Sequence, residues 1–490
     1  MTESVDEGTI TAPTRYGTVR GRFEAGVAVF RGIPYAAAPF GPLRFAAPAP
    51  PEPWDGVREA LAFGPTPPKN PYPKPFSELL PDPVLPGEDC LTLNVWTPDP
   101  APSARLPVMV WIHGGALTRG SSAVPVYDGR AFARDGVVLV SLNYRLGVEG
   151  YGVFPDAPQN RGLRDQLAAL AWVRDNVGAF GGDPDRVTVF GESAGAISIG
   201  ALLACPAAEG LFARAVLQSG APEVLPRDKA RTMVRRMASA LKVPATAAAF
   251  ARVDRTALLA AQASALRRSG PLLGGPAFAL VPDGELVPED PLAELVAGRV
   301  GRGVPLLAGW TAEEYRLWLA PTGLLGPMDR LGPLTLGFGM LRSGRGRADL
   351  RALKEALPGA GAGQVVGELL TDLLLRDPLR ALAGSGRTAR RAPVHLYEFR
   401  WRSGIEGIGS CHALELGFVF DTLGVPESSW LAGPSAPQEL ADEMHGAWVR
   451  FATVGAPGWP AWRSEGDRPH PFGSALPEVP EADRALVRGV

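Results

Sequence analysis

A serine between glycines is the first candidate for chemistry in this sequence. It lies in Gly191-Glu192-Ser193-Ala194-Gly195, directly after the apolar run at 187–190 and before small residues typical of a helix start. A strand that turns at once into a helix crowds its corner, and glycines two positions to either side relieve that crowding. The pattern therefore predicts an exposed, fixed Ser193 side chain at a nucleophile elbow. A glycine- and serine-rich turn without a catalytic role is the alternative interpretation.

A serine hydroxyl needs a base to act as a nucleophile, and the base needs an orienting acid. In the strand-turn-helix arrangement the base follows the serine in the chain. That order excludes His113, and the sequence places His395 in a strand-like run and His445 on a helix. His412 instead follows a glycine-rich loop that comes after a predicted strand, where a base carried by a loop is expected. The remaining histidine, His470, lies in a proline-rich tail.

Hydrogen-bond donors for a developing oxyanion are the next requirement. The stretch WIHGGALTRGS follows a predicted strand that ends near Ile112. Small residues at Gly114, Gly115 and Ala116 allow backbone N–H groups to converge on a substrate oxygen. An ordinary glycine turn after a strand is the alternative here.

The elements that must position these residues alternate between strands and helices. Continuous apolar runs that end in turn residues are typical of buried parallel strands. The chain shows such runs at 106–115, 136–145, 304–310 and 392–401, an amphipathic helix pattern at 161–182, and a mostly helical pattern at 222–303. The alternation predicts a doubly wound α/β sheet with the active site at the carboxyl ends of its strands.

Composition excludes several other classes of protein. The 490 residues are 46% hydrophobic, and the net charge of −2 gives no sign of a nucleic-acid partner. The N-terminus lacks an apolar signal segment and no apolar run reaches the ~20 residues of a membrane span, so we expect a cytoplasmic protein. Cys90, Cys205 and Cys411 are too widely spaced to predict a disulfide framework or a metal site. We expect three free thiols and a monomer.

Longer motifs give the chain a family resemblance. They occur at 30–45 (FRGIPYAAAPFGPLRF), 87–98 (GEDCLTLNVWTP), 111–116 (WIHGGA), 143–147 (NYRLG), 180–195 (FGGDPDRVTVFGESAG), 218–220 (QSG), 281–284 (VPDG), 309–315 (GWTAEEY) and 411–420 (CHALELGFVF). In these motifs the chain resembles the type-B carboxylesterases, the family of carboxylesterases and cholinesterases. Within that family it is most similar to bacterial members that resemble para-nitrobenzyl esterase.

The resemblance implies one α/β-hydrolase domain over residues 1–490, with a mostly parallel sheet and a helical cap around 222–303. It implies Ser193 as nucleophile, His412 as base and Glu314 as acid. The oxyanion donors would be the backbone N–H groups of three residues, Gly115, Ala116 and Ala194. It also implies a small neutral ester as substrate, a short-to-medium acyl group, tolerance of bulky alcohols, and no metal or cofactor.

Two positions depart from the family pattern. The family usually shows Asp-Glu-Gly around its acid, whereas this chain has Glu313-Glu314-Tyr315, so Glu313 is a second candidate. Thr311, three residues before Glu314, also predicts a capping box in which Glu314 has a structural role. Many eukaryotic relatives bridge the cysteine that corresponds to Cys90 to one shortly upstream, and this chain has no cysteine there.

Other activities use the same residues. A serine acyltransferase, a lyase, or a carbamate or amide hydrolase would need the same nucleophile, base and acid. Non-catalytic adhesion proteins also share the fold but have lost the nucleophile. The presence of Ser193, Glu314 and His412 together favours an enzyme over an adhesion protein.

Overall fold

One twelve-stranded sheet runs through the computed structural model, which describes residues 8–267, 277–344, 346–464 and 466–473. The strands are β1 (Thr9–Thr14), β2 (Gly17–Glu24), β3 (Val27–Pro34), β4 (Val57–Glu59), β5 (Thr92–Thr97), β6 (Leu106–Ile112), β7 (Val138–Leu142), β8 (Gly182–Glu192), β9 (Arg214–Gln218), β10 (Leu306–Thr311), β11 (Val394–Phe399) and β12 (His470–Phe472).

Apart from the parallel pair β2–β4, the sheet is antiparallel at its N-terminal side and parallel elsewhere. The strand order is β1-β2-β3-β5-β7-β6-β8-β9-β10-β11-β12, and β4 pairs with β2. Pairing is antiparallel from β1 to β7 along this order and parallel from β7 to β12. The predicted mostly parallel α/β sheet is therefore confirmed, and the strands β6, β8, β10 and β11 end at one common edge.

Seventeen α-helices accompany the sheet in the described residues. They are α1 (Arg130–Arg134), α2 (Gly147–Tyr151), α3 (Arg161–Asn176), α4 (Ala194–Leu203), α5 (Arg227–Leu241), α6 (Ala247–Ala251), α7 (Arg255–Leu266), α8 (Pro291–Val296), α9 (Arg316–Leu319), α10 (Leu325–Arg330), α11 (Gly332–Ser343), α12 (Arg347–Ala356), α13 (Ala362–Thr371), α14 (Asp377–Ser385), α15 (Leu416–Val419), α16 (Ser429–Ala432) and α17 (Gln438–Val454).

The central strands are buried on both faces, which explains why their sequences are continuously apolar. Along β6, Val110 belongs to a core shared with α3, whereas Met109 and Trp111 face a second core shared with α17. Successive side chains of a strand point to opposite faces, so a single strand supplies both cores. These two cores hold the carboxyl ends of the strands in fixed positions.

Helices outside the sheet form two insertions. Residues 222–303 contain α5 to α8, and the described part of that segment has no strand, as the sequence pattern predicted. A second helical segment, from α9 to α14, lies between β10 and β11 and was not predicted from the sequence. Across the described residues, no helix combines the length and the apolar character needed to span a membrane.

The three cysteines are all free and buried in the structure. Burial raises the pKa of the Cys90, Cys205 and Cys411 thiols, which disfavours the reactive thiolate. We predict that a thiol reagent titrates three thiols after denaturation without reductant and reacts slowly with the native protein. Titration of a single thiol, with a disulfide seen by mass spectrometry, would contradict this prediction.

Candidate active site

Ser193 lies at the corner between β8 and α4 in a backbone conformation that side chains rarely adopt. Its φ is 55° and its ψ is −122°. The corner is fixed from both sides, because the Ser193 N–H donates to the Gln218 carbonyl at 2.9 Å and its carbonyl accepts from the Ile197 N–H at 2.9 Å. Such local strain persists only where the surrounding structure determines it, and it is typical of a nucleophile elbow.

The glycines on either side of Ser193 allow the end of β6 to approach. A Cβ on Gly191 would lie 2.6 Å from the Ile112 carbonyl oxygen, and one on Gly195 would lie 2.0 Å from it. Any side chain at either position would therefore push the elbow away from the neighbouring strand. The structure confirms the steric reason for which the sequence pattern predicted an elbow here.

The turn after β6 lies directly beside Ser193. A Cβ on Gly114 would come within 3.2 Å of the Ser193 Cβ, so only glycine allows this approach. Gly115 and Ala116 follow with φ values of 111° and 54°. Within the described chain, the backbone N–H groups of Gly115, Ala116 and Ala194 donate no hydrogen bond. The structure thus places the turn that carries Gly115 and Ala116 beside Ser193, and Ala194 directly after it, with these three donors unused.

His412 and Glu314 are joined by a short hydrogen bond. The His412 Nδ1 donates to the Glu314 Oε2 at 2.6 Å, and both side chains are buried. Glu314 follows β10 and His412 follows β11, and these strands are paired in parallel. The ring of Trp318 lies 4.7 Å from the His412 ring and covers it. Because Nδ1 carries the proton in this bond, Nε2 is the nitrogen that can accept one.

The second oxygen of Glu314 has a structural partner. Glu314 Oε1 accepts a hydrogen bond from the Thr311 N–H at 2.8 Å. The predicted capping box is nevertheless wrong as a helix start, because Thr311 ends β10 and α9 begins only at Arg316. The reciprocal bond is also missing, since the Thr311 hydroxyl has no partner in the described chain. One carboxylate therefore ties the end of β10 to the His412 ring.

Glu313, the other candidate acid, is engaged elsewhere. Arg316 Nε donates to its Oε1 at 2.5 Å, and Arg402 forms an ion pair with its Oε2 at 2.9 Å. The Ser410 N–H donates to the same Oε2 at 3.0 Å. Glu313 thus fixes the loop before His412 and makes no contact with the imidazole ring.

The other four histidines have structural contacts, although His470 begins strand β12 and does not lie in a tail loop. His113 stacks on Tyr144 with ring centroids 4.5 Å apart, and burial lowers its pKa to about 3. His395 and His445 bond to the carbonyls of Trp459 and Val419, and His470 stacks on Trp459. Of the histidines, only His412 combines a carboxylate partner on Nδ1 with a position beside the elbow.

Two further glutamates surround His412 and were not predicted from the sequence. Glu192 Oε1 lies 2.9 Å from His412 Nε2, whereas the Ser193 hydroxyl makes no hydrogen bond within the described chain. Glu415 is fully buried, and Gln218 donates to its carboxyl group at 3.3 Å. Glu192 directly precedes Ser193 inside the elbow motif, so its position was a signal that the sequence analysis did not use. Glu415 follows His412 by three residues and gave no comparable signal.

Comparison with known proteins agrees with this arrangement. The model of the carboxylesterase family matches residues 8–324. The chain is 38% identical to the para-nitrobenzyl esterase of Bacillus subtilis, with 92% of each chain covered. It is 34% identical to the fumonisin B1 esterase of Sphingopyxis macrogoltabida, with 94% of this chain and 86% of that protein covered. The protein belongs to the carboxylesterase family.

Solved structures of carboxylesterases share the whole architecture. A carboxylesterase of Geobacillus stearothermophilus superposes with a TM-score of 0.82 at 36% identity, covering 97% of this chain and 99% of that one. A para-nitrobenzyl esterase structure superposes with a TM-score of 0.81 at 34% identity. The chain therefore has the α/β-hydrolase fold, and as a carboxylesterase it hydrolyses carboxylic esters.

The carboxylates around His412 control its protonation in this carboxylesterase. Burial of the ring lowers its pKa, but the carboxylates of Glu192 and Glu314 outweigh burial and raise the pKa well above the ordinary value. Burial, together with the charges of Glu192 and Glu314, raises the pKa of Glu415 to about 8. Glu415 is therefore mostly protonated at neutral pH, which limits the negative charge in the site.

We predict that Glu192→Gln moves the acidic limb of the kcat/KM profile to lower pH, by about one unit or more. The amide removes one anion that favours imidazolium, so the basic form of His412 is populated at lower pH. A pH profile of p-nitrophenyl acetate hydrolysis measures the shift, with the exposed Glu209→Gln as control. An acidic limb at the same pH or at a higher pH would show that Glu192 does not stabilise the protonated form of His412.

Proposed function

We propose that this carboxylesterase works through an acyl-enzyme on Ser193, with His412 as the base and Glu314 as the acid. The observation that carries the proposal is the 2.6 Å bond between Glu314 and His412 next to a serine held at φ 55°. This pairing of a strained nucleophile with an oriented imidazole is the arrangement by which serine hydrolases activate a hydroxyl.

The reaction begins when the Ser193 Oγ attacks the ester carbonyl carbon and His412 Nε2 takes the hydroxyl proton. Collapse of the tetrahedral intermediate breaks the bond to the alcohol oxygen, which leaves with the proton from His412. Water then attacks the acyl-enzyme with the same base, and the acid product leaves as Ser193 regains its proton. The Glu314 carboxylate stabilises the imidazolium during both steps.

The negative charge on the carbonyl oxygen would be stabilised by Gly115, Ala116 and Ala194. Their N–H groups are unused in the described chain, and Ala194 opens α4, so its donor lies at the positive end of a helix dipole. His412 Nε2 must exchange its contact with Glu192 for the Ser193 hydroxyl before proton transfer. We propose that ester binding causes this exchange, since catalytic contacts often tighten only in the complex.

We predict that Ser193→Ala folds normally and loses turnover by a factor on the order of 10⁴ or more. Alanine fits the corner because it is smaller than serine and needs no hydrogen bond there. A fluorophosphonate should label Ser193 of the native enzyme, as located by peptide mass spectrometry. Full labelling of the Ala variant at another residue would contradict the proposal that Ser193 is the nucleophile.

The two neighbouring glutamates should respond differently to an amide. We predict that Glu314→Gln loses turnover by a factor on the order of 10⁴, because the amide cannot stabilise imidazolium. Its stability should fall by about 1.5–3 kcal/mol, the range for one hydrogen bond to a charged group, since Gln can still accept the Thr311 N–H bond. Glu313→Gln should keep substantial turnover. A Glu314→Gln enzyme with more than about a tenth of native kcat would exclude Glu314 as the acid.

The family match fixes the reaction class and leaves the substrate open. Relatives of similar identity include enzymes named for p-nitrobenzyl esters, for fumonisin B1 and for phenmedipham. We propose neutral esters with short-to-medium acyl groups as substrates.

We also propose that residues 222–303 and the loop at 66–86 form a cap. Asn70 supports this, because its side chain donates to the Leu259 carbonyl of α7 at 3.0 Å and so links the two segments.

We predict activity on esters of tertiary alcohols as well as on primary ones. The oxyanion turn consists of Gly114, Gly115 and Ala116, so it offers donors without side-chain bulk near the carbonyl. A screen of acetates that differ only in the alcohol measures this, with tert-butyl against ethyl as the central pair. Turnover confined to charged or long-chain lipid esters would refute the proposed substrate range.

A further inference from the structure

A buried ion pair lies in the loop at 66–86, outside the residues that touch the substrate in the proposed reaction. Lys69 Nζ contacts Asp82 Oδ1, and their side chains are 0% and 5% exposed. The loop contains no cysteine, so this pair joins its two arms without a covalent bond. Buried Lys and Asp are rare unless paired and hydrogen-bonded.

Both charged side chains also bind Gly120, the last residue of the turn at 115–120 that begins with the proposed oxyanion residues Gly115 and Ala116. Lys69 Nζ donates to the Gly120 carbonyl at 3.1 Å, and the Gly120 N–H donates to Asp82 Oδ1 at 3.2 Å. Gly120 packs so closely on the ring of His113 that a Cβ would lie 2.6 Å from Nδ1. The ion pair therefore holds the last residue of the turn by both its N–H and its C=O.

Backbone hydrogen bonds connect the residues just before Gly120 to Gly115, one of the proposed oxyanion donors. The N–H groups of Thr118 and Arg119 both donate to the Gly115 carbonyl at 3.0 Å, so residues 115–120 form one tight turn. The loop also contacts the turn at Arg119, whose Nε donates to the Pro71 carbonyl at 3.3 Å and whose guanidinium lies 5.1 Å from the Tyr72 ring. Two successive residues of the turn are thus attached to the same loop.

The energetics favour a positioning role over a purely stabilising one. Burial lowers the pKa of Lys69 and raises that of Asp82, in both cases against the charged form. Buried ion pairs are frequently no more stabilising than apolar residues of similar volume, because desolvation offsets their attraction. What apolar residues could not reproduce here is the pair of hydrogen bonds to Gly120.

We propose that Lys69 and Asp82 are positioning residues for ester hydrolysis, because they hold the 115–120 turn so that the Gly115 and Ala116 N–H groups face the reacting carbonyl. This inference rests on the proposed role of those N–H groups in the oxyanion hole. The loop at 66–86 would then contribute to the rate of the reaction, in addition to its proposed role as part of the cap.

The test replaces both charges at once, so that no buried charge is left unpaired. The double variant Lys69→Met/Asp82→Leu should keep the melting temperature within a few degrees and lose at least about tenfold in kcat with KM nearly unchanged, a fraction of the 10²–10³ that loss of an oxyanion donor costs. Affinity for a trifluoromethyl ketone, which mimics the tetrahedral intermediate, should fall in parallel. Arg15→Met/Asp175→Leu removes an exposed pair and should change none of these.

Hydrogen–deuterium exchange separates this inference from the proposed function. Exchange in the peptide that covers residues 113–120 should be faster in the double variant, whichever residue is the nucleophile. Faster exchange and lower kcat, in an enzyme that tolerates Ser193→Ala, would leave the positioning role intact and refute the proposed nucleophile.

Unchanged kcat and ketone affinity in the folded double variant would overturn the inference, with or without a change in exchange. If the double variant does not fold, Lys69→Met/Asp82→Asn serves instead, because it removes the Lys69 bond to the Gly120 carbonyl and leaves no buried charge unpaired. It should show the same direction of change in kcat at unchanged KM, and native kcat would again overturn the inference.

Discussion

The hydrogen bond between Glu314 and His412 is the interaction on which the proposed chemistry depends. It fixes the ring so that Nε2 faces the elbow, and it joins two loops that leave adjacent parallel strands. The same carboxylate is held by the Thr311 N–H, so its position is set by the end of β10. Glu314, which the sequence also allows as a helix cap, thereby links the end of β10 to the His412 ring.

The negative charge around the His412 ring favours imidazolium, but it also brings carboxylates close enough to repel one another. Glu192 and Glu314 lie against the two ring nitrogens and favour imidazolium, the species that forms in the transition state. Three ionised carboxylates in one buried site would repel one another, and Glu415 avoids this because its pKa is raised to about 8. The site therefore stabilises the charge that develops on His412 while it keeps the resting repulsion low.

Local features of the sequence were enough to predict the strand-to-helix corner at Ser193, the glycine turn after β6 and the position of His412 in a loop after a strand. Glycines flank Ser193 because any side chain there would clash with the end of β6. The topology of the fold places the histidine after the serine in the chain. The runs of β6 and β7 are apolar because both faces of these strands are buried. Long-range contacts were not predictable in this way. The Lys69–Asp82 pair has no local signature, because it depends on how the loop at 66–86 packs on the turn after β6.

A crystal structure of the enzyme with a trifluoromethyl ketone bound tests the central claim most directly. We expect a covalent bond from Ser193 Oγ to the ketone carbon, and the ketone oxygen within hydrogen-bond distance of the Gly115, Ala116 and Ala194 N–H groups. His412 Nε2 should then lie next to Ser193, with Nδ1 still bonded to Glu314. An adduct on another residue, or a His412 ring detached from Glu314, would contradict the account.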